Sequence, residues 1–126
     1  MSKSVFISYV YEDIEHRDKL KSWAEKKLLG ENIQITHERK DCRAQGDNAI
    51  KAEIESMIQG AGAVIVLIGQ NTHNHPWVIH EAECIRAKNK KAVLVRIPGT
   101  NGSKPKILQG YPEIPMDVNK IKVALL

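Results

Sequence analysis

Trp77 and Glu81 lie four residues apart in the run Pro76-Trp77-Val78-Ile79-His80-Glu81. Residues at that spacing share one face of a helix. An aromatic ring there can stack on a flat ligand or wall a pocket. A carboxylate beside it can stabilise positive charge as it develops on a reacting group. Ser8, Tyr9 and Tyr11 form a second group, around the end of the apolar run that opens the chain. The Ser8 hydroxyl can bond a phosphate or a ribose, or simply satisfy nearby backbone. At most one of Tyr9 and Tyr11 is expected to face a ligand. Plainer roles stay open for the other group too. Glu81 can be a surface acid that suits a helix start, and Trp77 can be a core residue wedged under the preceding loop.

The elements that must position these residues follow from periodicity. Val5-Phe-Ile-Ser-Tyr9 reads as a short strand. Ile14, Leu20, Ala24 and Leu28 then fall on one helical face, with Gly30 as the stop. Ile33-Gln-Ile35 is a weak second strand, and Thr36 to Asp47 is a long polar loop. The next helix is capped by Asp47 or Asn48. It carries the core stripe Ile50, Ile54, Met57 and Ile58 and ends at Gly60-Ala-Gly62. Ala63 to Ile68 is apolar throughout, the pattern of a strand covered on both faces. Pro76 suits the first position of the third helix, where its missing N–H would have no partner. That helix runs to about Lys88 and buries Val78, Ala82 and Ile85. Ala92 to Ile97 is a fourth strand, and Pro98 to Pro115 reads as loop. In the tail, Ile121 to Leu126 fits a fifth strand or a last helical turn; the strand is the preferred reading.

Strands alternating with helices predict an α/β fold with right-handed crossovers. The expected architecture is a flavodoxin-like three-layer α/β/α sandwich in one domain, residues 1–126. Its mostly parallel sheet has four to five strands in the order 2-1-3-4-5. Ligands in such sheets bind outside the carboxyl ends of the strands, where the strand order reverses. The loops after strands one and three open onto that crevice, and Glu81 lies one helical turn beyond the second loop.

Composition narrows the function classes. No stretch approaches the roughly 20 apolar residues of a membrane span, and no charged-then-apolar leader opens the chain. The expectation is a soluble, cytoplasmic protein. Net charge is +4, yet the lysines are scattered and aromatics make up only 5%. Nucleic-acid binding calls for a continuous basic stripe with interleaved aromatics, so no nucleic-acid partner is expected. Cys42 and Cys84 are too few and too far apart for a disulfide framework. His73, His75, His80 and Cys84 invite a metal reading, since His80 and Cys84 are four apart on a helix. No second paired cluster completes a tetrahedral set, so no metal site is expected. Gly60 and Gly62 lack the Gly-Lys-Ser/Thr ending of a phosphate loop. A phosphorelay receiver needs an aspartate after strand three and a lysine after strand four. Gly69-Gln70 and Pro98-Gly99 stand there instead.

Two stretches together resemble the TIR domain family. Val5-Phe-Ile-Ser-Tyr9 followed by Glu12-Asp13 looks like its first box, and Trp77 with Glu81 looks like its helix motif. Val-Leu-Ile-Gly69, then Thr72, then Pro76-Trp77-Val78, is closest to the TIR-like branch of bacterial Thoeris antiphage systems. The resemblance covers roughly residues 4 to 98. It implies either a scaffold that binds other TIR domains or an enzyme that cleaves NAD, as substrate rather than cofactor, at the nicotinamide–ribose bond. The Thoeris-like branch makes a modified ADP-ribose signal sensed by a separate effector. Glu81 matches the family's essential glutamate, and Ser8, Tyr9, Tyr11 and Trp77 are candidate substrate-binding residues. Arg39, Lys40 and Arg43 sit in the family's variable loop, where they can reach a pyrophosphate or be solvated.

Overall fold

The computed structural model describes residues 3–35 and 47–126. Cys42 and the loop cations Arg39, Lys40 and Arg43 lie outside the described residues, as does the side chain of Ile50. The chain alternates strand and helix: β1 (Lys3–Ser8), α1 (Ile14–Glu25), β2 (Ile33–Ile35), α2 (Asp47–Gly60), β3 (Ala63–Ile68), α3 (Pro76–Ala87), β4 (Ala92–Arg96), β5 (Glu113–Pro115) and α4 (Val118–Ala124). All five strands are parallel, in the order β2-β1-β3-β4-β5. This is the flavodoxin-like α/β arrangement expected from the alternation of elements.

Alternating side chains of the central strands feed two apolar layers. Val5 and Ile7 of β1, Ile65 and Leu67 of β3, and Val93 and Val95 of β4 face α1 and α4. Phe6, Val64, Val66 and Leu94 point the other way and meet α2 and α3 through Ile54, Ile58, Ala82 and Ile85. Every residue of β3 is buried, so both faces of that strand are covered. Full burial of an Ile, Leu or Phe side chain contributes about 1.5–3 kcal/mol, so these layers are the main source of stability.

Two expectations need correction. The fifth strand is Glu113–Pro115, inside the segment read as loop, and the tail forms helix α4. β5 is only three residues long and pairs on one side, which is where a sheet tolerates proline. So short a run carries no periodicity to find. Arg96 fastens it, donating from Nη2 to Glu113 Oε1 at 2.9 Å. In the tail, Asp117 caps the helix by accepting from the Lys120 amide at 3.0 Å. Ile121 and Leu125, four apart, bury against the α1 side of the sheet. The second correction is at the end of α1. The helix stops at Glu25, and Lys27 turns the chain with a left-handed φ of 62°. That turn buries Leu29 and leaves Leu28 exposed.

Candidate active site

The carboxyl edge of the sheet is stitched together by its loops. Thr72 is fully buried; its Oγ1 accepts from the Gly69 amide at 2.8 Å and donates to the Leu67 carbonyl at 3.2 Å. This folds the end of β3 back on itself and delivers the chain to Pro76 at the start of α3. Asn71 Nδ2 donates to Glu12 Oε1 at 2.9 Å, joining the loop after β3 to the loop after β1. At Gly69 a Cβ would stand 2.5 Å from Asp13 Oδ2, so a larger residue would force the Asp13 side chain aside. Gly102 allows the loop after β4 to lie directly on the Gly69 and Gln70 carbonyls.

Beneath these loops Ser8 and Glu81 meet. Ser8 ends β1 and points to the α3 side of the sheet, like Phe6 two residues earlier. Glu81 sits on the inner stripe of α3 with Val78, Ala82 and Ile85. The Ser8 hydroxyl donates to Glu81 Oε1 at 2.7 Å, across 73 positions of sequence, and both residues are 1% exposed. The partner of Ser8 is therefore neither backbone nor solvent but the helix carboxylate.

The other sequence-derived candidates separate. Tyr9 faces the opposite layer, buried with Val5 and Ile7, and the Arg17 guanidinium lies 5.4 Å from its ring centre. Tyr11 is 77% exposed in the short turn Tyr11–Asp13. Trp77 is half-buried against the α2–α3 layer. With Lys51, Pro76, Ile79, His80 and Glu83 it lines a cavity of about 380 Å³ on the outer side of α3. His73 borders a second cavity, of about 470 Å³, with Ile79, Glu83, Lys104, Pro105 and Ile107. Glu81 lines neither of these two.

Two residues matter more than their sequence context announced. Asp13 is buried, and its Oδ2 has no hydrogen-bond partner among the described residues. Burial, and then the neighbouring Glu12, push its carboxyl above the ordinary aspartate range, while His16 pulls the other way. Glu55 of α2 comes up to His80 and Cys84 of α3. Burial, and then Glu55, push the Cys84 thiol up. Only the acidic pair Glu12-Asp13 left a trace in the sequence; nothing local marks Glu55.

The family model described as "Thoeris protein ThsB, TIR-like domain" matches residues 6–102. The chain belongs to this TIR-like family. The matched stretch contains Ser8, Trp77 and Glu81. Among solved structures, a prokaryotic SEFIR domain is similar to this TIR-like domain, with a TM-score of 0.59 and 17% identity over 98% of this chain and 87% of that one. At that identity the likeness speaks for the fold. No curated protein matches. Among the described residues no helix is long and apolar enough to cross a membrane.

Proposed function

We infer that this TIR-like domain cleaves NAD at the nicotinamide–ribose bond and yields an ADP-ribose-type signal, linear, cyclic or conjugated, for a separate effector in cytoplasmic antiviral defence. The observation that carries this reading is the buried Ser8–Glu81 pair at the point where the strand order reverses. Nicotinamide in NAD is a cationic pyridinium. When the C1′–N bond breaks, the electron pair goes to the ring nitrogen and the base leaves neutral, so no acid is needed. The sugar becomes oxocarbenium-like, and the Glu81 carboxylate stabilises that positive charge. Water or another hydroxyl then bonds to C1′, and its proton passes to the surrounding water. Most glycosidases need two carboxylates because their leaving groups are poor; here one suffices. Ser8 acts through Glu81, fixing its orientation.

Glu81 is 1% exposed. A nucleotide therefore reaches it only when the residues above it rearrange, and self-association through TIR-like surfaces is the event we assign to that opening. Turnover should rise with protein concentration faster than in proportion. The deciding experiment is mass spectrometry of NAD incubated with concentrated protein, wild type against Glu81→Gln. The expected loss on substitution is on the order of 100- to 1000-fold. Equal turnover by Glu81→Gln would sink the mechanism. The enclosure of Glu81 also favours a second reading, a non-catalytic interaction module in which Ser8 and Glu81 are purely structural. That reading gains if concentrated wild-type protein associates and leaves NAD intact.

A further inference from the structure

His80 and Cys84 are one helical turn apart on α3, and α2 brings Glu55 up to them. Cys84 Sγ lies 3.8 Å from His80 Nε2, and His80 Nε2 lies 4.0 Å from Glu55 Oε1. All three ligand atoms fall within 4.8 Å of one another. We propose that Glu55, His80 and Cys84 form a divalent transition-metal site of the zinc class that clamps α2 to α3.

The geometry fits that chemistry. Zinc bonds sulfur at about 2.3 Å and nitrogen or oxygen at about 2.0–2.2 Å; at tetrahedral angles this places ligand atoms about 3.4–3.6 Å apart. The His80–Cys84 edge needs to contract by about 0.3 Å, the His80–Glu55 edge by about 0.5–0.7 Å, and the Cys84–Glu55 edge by up to about 1.3 Å. A torsion of the Glu55 side chain, 53% exposed, is free to supply most of that change. Burial is graded in a useful way. The Cys84 residue is buried at 5% exposure, the His80 side chain is 16% exposed, and Glu55 opens to solvent. An ion can enter past the carboxylate and end on the sulfur. The edge-on contact of Trp77 with His80, ring centres 6.3 Å apart, holds the imidazole plane.

Donor chemistry selects the ion. Calcium and magnesium take oxygen ligands almost exclusively, whereas a thiolate with an imidazole and one carboxylate suits zinc and its neighbours. Three protein ligands leave the fourth position for water or an incoming group, as in open zinc sites. His80 and Glu81 are consecutive but point to different sides of α3. The clamp therefore works on the outer side of the helix that carries Glu81 on its inner side. Helical spacing alone revealed two ligands; the third comes from another helix.

The test uses the full chain, stripped with a chelator and titrated with cobalt(II) as the probe. One equivalent should produce a near-ultraviolet thiolate-to-cobalt charge-transfer band and the visible bands of a tetrahedral ion, and zinc should abolish both. Cys84→Ser should lose the charge-transfer band. His80→Gln and Glu55→Gln should each weaken binding by at least about 10- to 100-fold, the range set by loss of an outer-shell partner alone. Glu55 is exposed, so its variant folds whatever the role of the site. Retention of the thiolate band in Cys84→Ser would move the ion to Cys42 and overturn the proposal. Unchanged affinity in both Glu55→Gln and His80→Gln would overturn it as well. Nicotinamide release enters none of these readouts, so this result and the fate of the NAD reading are separable.

Discussion

The inner and outer faces of α3 carry polar clusters that differ in one physical respect, their access to water. On the inner face Glu81 is enclosed and accepts from Ser8 at 2.7 Å. On the outer face His80 sits half-buried against the exposed carboxylate of Glu55, 4.0 Å away. A buried polar group must keep its partner, because its lost hydration is not returned. An exposed one can exchange its partner for solvent at little cost. Consecutive residues on one helix are thus held to different rules. The inner pair is intolerant and fixed, while the outer cluster is free to accept or release a ligand.

The sharpest way to break this contrast is the activity of Glu81→Gln. The amide keeps an acceptor for Ser8, so the fold should persist while NAD turnover falls on the order of 100- to 1000-fold. Circular dichroism alongside mass spectrometry checks both halves. Next in size is Glu81→Ala, which strands the buried Ser8 hydroxyl. It should destabilise the fold by about 1–3 kcal/mol in urea denaturation; an unchanged midpoint would mean the inner pair is not intolerant after all.

Asp13 sharpens the comparison from the same sheet edge, since it is buried like Glu81 yet has an oxygen without a hydrogen-bond partner among the described residues. Its pKa is raised in the fold, so the native state holds a proton that the unfolded chain has already lost. Stability therefore falls as pH rises from the ordinary aspartate range through the raised value. Asp13→Asn should stabilise the protein at neutral pH by about 1 kcal/mol. The gain should vanish as pH drops below the ordinary aspartate range, which thermal melts of both proteins across pH can follow. The smallest effect belongs to the outer face. Without added metal, Glu55→Gln should change stability by no more than about 0.5 kcal/mol. A larger loss would show that the outer carboxylate is already committed to a structural bond.

Legibility followed the range of the forces. Proline at the head of α3, the unbroken apolar run of β3 and the inner stripe Val78, Ala82, Ile85 all act within a turn or a strand. They could be read directly; the strand order followed from the flavodoxin-like arrangement expected of alternating strands and helices at this chain length. Three places resisted. β5 is held by its neighbour β4 and by Arg96, not by its own residues. The tail was ambiguous until the capping aspartate Asp117 and the buried positions Ile121 and Leu125 made it helical. Leu28 looked right by spacing, but the left-handed turn at Lys27 put Leu29 in the core instead. At the site, Ser8 and Glu81 could be placed at one crevice, whereas Tyr9 and Tyr11 could not be assigned a side without the sheet.

By itself the sequence determined the succession of elements through β4, the apolar faces of the central strands and the helix on which Glu81 stands. Propensity and periodicity are set by near neighbours, so they survive without a fold. Only the tertiary structure decided that the Ser8 hydroxyl spends its hydrogen bond on Glu81 and that Glu55 reaches His80 and Cys84. Those contacts join side chains far apart in the chain. Their existence depends on how two layers pack across a twisted sheet, which no local pattern encodes.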